Sequence, residues 1–218
     1  MGLLLAEVEF RGPAGRLEGV LHHDPEAVPQ RLAVVCHPHP LYGGTLHNKV
    51  TFRAAEALTE LGMATLRFNF RGVNRSEGTH DGGRGEQEDL RAALDFLADR
   101  FGRQPILVAG FSFGAAVTLR AAPGEGAVDA LVAIAPPVRG FDYPELAGCR
   151  KPKAVVQGTA DTVCPPAELA AAWPGWPEPR RLIEVDGATH FFDGRLGQLK
   201  AAVAEAAVWA TRPQESRT

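Results

Sequence analysis

Ile106-Leu107-Val108-Ala109-Gly110-Phe111-Ser112-Phe113-Gly114-Ala115-Ala116 reads as a buried strand that runs into Gly-x-Ser-x-Gly and then into a helix of small residues. In that context the pattern presents a serine hydroxyl: the glycines let backbone segments crowd together at a sharp strand-to-helix turn, and the turn pushes Ser112 out at the carboxyl edge of a sheet. The new helix also aims its first N–H groups at any negative charge forming nearby. The chain contains only three serines, Ser76, Ser112 and Ser216, and Ser216 falls in a polar tail, so Ser112 has little competition.

A serine hydroxyl needs a base, and the base needs an orienting carboxylate. After a turn of this kind the partners follow in the order acid, then histidine. His190 is the one histidine downstream of Ser112, in Val185-Asp186-Gly187-Ala188-Thr189-His190-Phe191-Phe192. Asp161 follows the apolar run Ala154 to Val156 and so stands at a strand's carboxyl end, where ligand chemistry gathers in open α/β sheets. Asp142, Asp186 and Asp193 compete, but Asp186 is only four residues before His190 and needs an unusual turn to reach it. The expected triad is Ser112, Asp161 and His190.

Attack on a carbonyl generates an oxyanion that backbone N–H groups must receive, one of them from the residue after the nucleophile, Phe113. The second is sought in Cys36-His37-Pro38-His39-Pro40-Leu41-Tyr42-Gly43-Gly44. Pro38 and Pro40 have no N–H, which leaves His39 first, with Leu41 or Tyr42 behind it. His37 and His39 could be read as a metal pair, but no third ligand lies at useful spacing, so neither a metal nor any other cofactor is expected.

These groups need elements to carry them. Val8 and Phe10 alternate with polar neighbours, Gly12-Pro13-Ala14-Gly15 makes a turn, and Leu17 to Leu21 resumes the pattern, which predicts an antiparallel hairpin. Short apolar runs follow at Leu32–Cys36, Ala64–Phe70, Ile106–Ala109, Ala130–Ile134, Ala154–Val156 and Leu182–Val185, and they read as strands buried on both faces. Helices are expected between them at Lys49–Leu61, Arg84–Phe101 and Ser112–Ala122, with a last one at Leu196–Ala210 before a frayed tail over 211–218. Leu90, Leu94, Leu97 and Phe101 share a helical face. Alternating strands and helices imply a doubly wound, mostly parallel α/β sheet, and the absence of repeats or Gly/Ser-rich linkers makes 1–218 one expected domain.

Composition excludes other classes. A 218-residue chain with 45% hydrophobic and 22% charged residues suits a globular domain, and a net charge of -3 from scattered side chains gives no field for nucleic acid. Met1 to Ala6 lacks the basic and apolar regions of a secretory signal, Ala6 does not suit myristoylation, and no segment approaches the roughly 20 apolar residues of a membrane span. Cys36, Cys149 and Cys164, odd in number and far apart, suit neither disulfides nor a metal knuckle. A cytoplasmic protein with reduced thiols is expected; oligomeric state is not indicated.

At these residues the sequence resembles a group of small bacterial α/β-hydrolases that share His-Pro-His-Pro, Gly-Gly-Thr and Asn-Lys after an early strand, here His37–Pro40, Gly43–Thr45 and Asn48-Lys49. The likeness continues through Phe68-Asn69-Phe70-Arg71-Gly72-Val73-Asn74-Arg75-Ser76-Glu77-Gly78, in which Arg71 and Asn74 read as turn-formers. It extends to the loops of Asp161 and His190. The resemblance implies an α/β-hydrolase fold with Ser112 as nucleophile, Asp161 as acid and His190 as base, and imports no named substrate. Cys164 departs from it, since similar proteins more often carry an aliphatic residue there.

Relatives of that fold often insert a cap between the strands near Ala130 and Ala154, but Ala135 to Lys153 is only 19 residues, too few for a lid domain. The expectation is an open site walled in part by Tyr42, Phe111, Phe141, Trp173 and Trp176, taking a small acyl substrate, with the tryptophans alternatively packing under a loop. A carboxylic ester hydrolase leads. A peptidase or thioesterase with the same triad, or a non-catalytic binding protein, are the alternatives.

Overall fold

The computed structural model describes residues 4–213. Strands β1 (Leu4–Gly12), β2 (Gly15–His23), β3 (Leu32–Cys36), β4 (Ala64–Phe68), β5 (Ile106–Phe111), β6 (Val128–Ile134), β7 (Lys153–Gly158) and β8 (Arg180–Val185) form one sheet in the order β1-β2-β4-β3-β5-β6-β7-β8. β1 pairs with β2, and β2 with β4, antiparallel; every later pairing is parallel. The hairpin and the parallel core therefore fall where the alternation and the apolar runs put them.

Helices α1 (Lys49–Glu60), α2 (Arg84–Phe101), α3 (Phe113–Ala121), α4 (Pro166–Ala172) and α5 (Leu196–Thr211) cover both faces. In β3 the period of two is clean: Ala33 and Val35 pack with Val50, Ala54 and Leu58 of α1 and Val203 and Ala207 of α5, whereas Leu32 and Val34 pack with Leu90, Leu94 and Leu97 of α2 and Val117 of α3. Burying side chains of this size is worth about 1.5–3 kcal/mol each, which is why the strands are continuously apolar rather than alternating.

Several boundaries differ from the sequence reading. β4 ends at Phe68, because Asn69 turns aside to donate through Nδ2 to Glu18 (2.7 Å) and to accept the Leu46 N–H on Oδ1 (2.7 Å). α4 has no counterpart in the sequence expectations; it is short, with Pro165 as N-cap and Pro166 as its first residue. β8 is an edge strand with Arg180 to Ile183 only half-buried, not a strand covered on both faces. Thr211 closes α5, and the tail beyond 213 lies outside the described residues, as do Met1 to Leu3. Arg71 does more than form a turn, since its guanidinium and backbone N–H all donate to the buried carboxylate of Asp89.

Residues 135–152 connect β6 to β7 with one short 3-10 turn at Pro144–Leu146, so nothing the size of a lid covers the carboxyl edge. None of the described helices is long and apolar enough to cross a membrane.

Candidate active site

Ser112 sits between β5 and α3 with φ 54° and ψ −116°, a conformation that costs a non-glycine residue about 1–3 kcal/mol and persists only when its surroundings enforce it. They do. A Cβ on Gly114 would collide with the carbonyl oxygens of Cys36 and His37, and one on Gly110 would strike the Gly114 carbonyl, so both glycines are required for the close approach. The Ser112 N–H donates to Ile134 O (2.9 Å), and the Ser112 carbonyl accepts from Ala116 N–H (3.1 Å) to begin the helix.

His190 Nε2 lies 3.1 Å from Ser112 Oγ, and His190 Nδ1 lies 2.8 Å from Asp161 Oδ2. With Nδ1–H donating to the carboxylate, Nε2 keeps a lone pair directed at the hydroxyl. The Asp161 side chain is fully buried; Oδ1 accepts the N–H groups of Val163 and Cys164, both at 2.8 Å, and Gln157 Nε2 approaches Oδ2 at 3.3 Å. The imidazole packs on Phe111 (5.0 Å between ring centres) and Phe191 (5.1 Å).

The acid and histidine loops are tied to one another. Thr159 N–H donates to Val185 O (3.1 Å), Ala160 N–H to Ala188 O (3.0 Å), and Gly187 N–H to Thr159 Oγ1 (2.8 Å). Gly158 leaves no room for a Cβ beside Ala188 O. The competing carboxylates go elsewhere: Asp186 accepts from Thr159 Oγ1 (3.3 Å), Asp193 pairs with Lys49, and Asp142 lies beside Arg120, whose guanidinium donates to its backbone carbonyl.

The His37-to-Gly44 loop turns over the elbow. His37 is fully buried with both ring nitrogens engaged: Phe70 N–H donates to Nε2 (3.1 Å), which puts the proton on Nδ1, 2.6 Å from Pro38 O. Burial pushes its pKa down to about 4, so it is a neutral strut and has no lone pair left for a metal. Among the described residues no group of three or more His, Cys, Asp or Glu could hold a metal ion. Leu41 N–H is taken by His39 Nδ1 (3.2 Å) and Tyr42 N–H by His39 O (3.1 Å), whereas the His39 N–H has no protein partner among the described residues. The His39 ring meets the Phe113 ring at 4.8 Å.

This geometry agrees with what the chain is similar to. Residues 29–165 match the family model described as serine aminopeptidase, S33. The chain belongs to that family. An uncharacterized protein of Rickettsia prowazekii is 34% identical over 210 residues, 91% of this chain and 87% of that one. A solved α/β serine hydrolase without lid from Xanthomonas campestris is 36% identical with a TM-score of 0.86, covering 96% of each chain. An α/β serine hydrolase homologue from Coxiella burnetii is 38% identical with a TM-score of 0.84, covering 92% of this chain and 96% of that one. The protein is thus an α/β serine hydrolase, and the fold inferred from its motifs is the observed one.

The wall residues of this hydrolase separate into two groups. Tyr42 is 86% exposed and its ring lies tilted against His39, centres 4.7 Å apart, at the edge that carries Ser112. Phe111 is fully buried beneath His190, a floor and not an exposed wall. Trp173 and Trp176 pack together (5.5 Å), Trp176 against Tyr143 (5.7 Å) and both with Leu146, Val155 and Leu169, while Phe141 lies under Arg120. All three pack within this loop-and-α4 layer and, among the described residues, make no ring contact with the triad. Other exposed apolar side chains on the loops at this edge are Leu41, Val163 and Phe191, the last against the His190 ring. Gln157 stands outside the sequence expectations; its signal is an amide directly after the apolar run Ala154–Val156 and four residues before the acid.

Proposed function

We propose that this hydrolase cleaves carboxylic esters of short acyl groups through Ser112, His190 and Asp161. The observation that carries the reading is the continuous line from Asp161 Oδ2 through His190 to Ser112 Oγ, at 2.8 and 3.1 Å. Ser112 Oγ attacks the ester carbonyl while its proton passes to His190 Nε2, and Asp161 supports the imidazolium that forms. The N–H groups of Phe113 and His39 receive the oxyanion. As the tetrahedral adduct collapses, His190 returns the proton to the departing alkoxide, leaving an acyl-Ser112 and a free alcohol. Water, deprotonated by His190, then attacks the acyl-enzyme and releases the carboxylic acid with Ser112 regenerated.

Short acyl groups suit an edge with no lid and a floor of Phe111. The exposed Tyr42 supplies contact area on one side, and Phe141, Trp173 and Trp176 are proposed as a more distant apolar wall. An amide substrate is the second reading, favoured by the family description, and a thioester would use the same machinery.

Labelling with a fluorophosphonate probe tests the reading. The unaltered protein should label and Ser112→Ala should not, and a panel of acyl esters, thioesters and aminoacyl amides should give highest kcat/KM for short esters. Equal labelling of both proteins, or none of either, would sink the triad in favour of a non-catalytic scaffold.

A further inference from the structure

A second group of titratable side chains lies against the elbow and has no part in the triad. His39 and His80 stand 5.0 Å apart, and both pack on the Phe113 ring, at 4.8 and 5.5 Å. Behind them is Glu86, on the first turn of α2, with its side chain fully buried. It accepts the N–H groups of Asp81 (3.0 Å) and Gly83 (2.7 Å) and lies 2.8 Å from His80 Nδ1, without the alignment of a hydrogen bond. Facing His39 are therefore His80 and Glu86 from the segment entering α2, Tyr42 from its own loop, and the uncharged Phe113 ring from α3.

The His39 side chain closes its own turn. Nδ1 accepts the Leu41 N–H at 3.2 Å, as the N-cap of the 3-10 turn Pro40–Tyr42, while the His39 carbonyl accepts from Tyr42 (3.1 Å) and Gly44 (3.0 Å). Only an imidazole with a bare Nδ1 can make the first of these bonds; an imidazolium carries a proton there and becomes a donor facing a donor. The neighbours oppose that outcome. Burial first, and then the charge of His80, hold His39 below the ordinary histidine range, with Glu86 pulling the other way.

We infer that the neutral His39 side chain is a positioning residue: by capping Leu41 N–H it fixes the turn that aims the His39 N–H at the oxyanion, and protonation of Nδ1 releases that turn. The inference rests on the oxyanion role proposed above for the His39 N–H. His80, 5.0 Å away, opposes a proton on His39 and so guards the neutral form.

The test is the acid limb of the kcat/KM profile on a short activated ester, with each variant normalised to its own plateau. Protonation of a single essential base gives a limb of slope one in log kcat/KM against pH. The unaltered protein should steepen to a slope of two below the His39 titration. His39→Asn, whose side-chain oxygen can cap without titrating, should fall with slope one throughout. His80→Gln removes its opposition to a proton on His39 and leaves the pull of Glu86, so the break should move to higher pH. A slope of two persisting in His39→Asn, or an unmoved break in His80→Gln, would overturn the inference.

Nitrogen-15 spectra of the histidine rings provide a readout independent of turnover: His39 Nδ1 should carry no proton at neutral pH. A protonated Nδ1 there defeats the cap while leaving the triad untouched, whereas loss of Ser112-dependent turnover defeats the proposed function and leaves the spectroscopic result standing.

Discussion

Gly114 and Cys36 are in such close contact, first turn of α3 against the end of β3, that the carbonyl of Cys36 occupies the space a Cβ on Gly114 would need. The strained backbone of Ser112 is held from this side. Gly114→Ala should therefore cost about 1–3 kcal/mol of stability, the usual range for overpacking a tight core, and should lower turnover further by shifting the Phe113 N–H. Denaturant melts set beside kcat check both. A variant as stable and as active as the parent would show that the close approach is not what holds the elbow.

Asp161→Asn preserves shape but removes the charge and the preference for a proton on His190 Nδ1. The Val163 and Cys164 N–H groups still hold the side-chain oxygen, so folding should be little affected. Turnover should fall by about 10⁴, as when a triad loses its correct tautomer. Stopped assays on a short ester measure the ratio; a loss below tenfold would point to another acid.

Stability should decline as pH falls from about 6.5 to 4. His37 and His22 both have pKa values lowered to about 4, chiefly by burial, with Arg67 adding to the effect at His22. In that window the unfolded chain binds protons the folded protein refuses, so each group's contribution is intact above the unfolded value and is lost as pH falls toward the folded one. For the fully buried His37 the loss is on the order of 3 kcal/mol. Urea unfolding at a series of pH values should show it, and His22→Asn should flatten the slope.

The thiols should be silent in the native state. Burial pushes both Cys36 and Cys164 up to about 12, with Asp89 and Asp161 respectively opposing a thiolate. Iodoacetamide at neutral pH should leave them unmodified until denaturant is added, as mass spectrometry can follow; rapid native labelling of Cys164 would mean that the acid loop opens.

Much of this molecule was legible in its residues because backbone demands and chemistry coincide. The elbow needs glycines on both sides of Ser112, so Gly110 and Gly114 mark the turn as clearly as they mark the serine. The parallel core announced itself because strands covered on both faces cannot be polar. Where burial is partial the signal weakens: β8 is an edge strand, so its apolar run overstated its cover. Tertiary partners were invisible for the same reason that Arg71 passed for a turn residue, since Asp89 is far along the chain and only the packing of α2 brings it near. The paired nitrogens of His37 were equally hidden, because one partner is the Phe70 backbone. Trp173 and Trp176 show the limit of inferring a wall from aromatic type alone.

The brevity of the segment from 135 to 152 decides how this protein meets whatever it acts on. With no lid-sized segment there to swing aside, the proposed arrival of an ester at Ser112 involves no waiting for an opening motion. In the proposed reaction, discrimination then falls to the outline made by Leu41, Tyr42, Val163 and Phe191, a selection exerted at first touch and not behind a closed door.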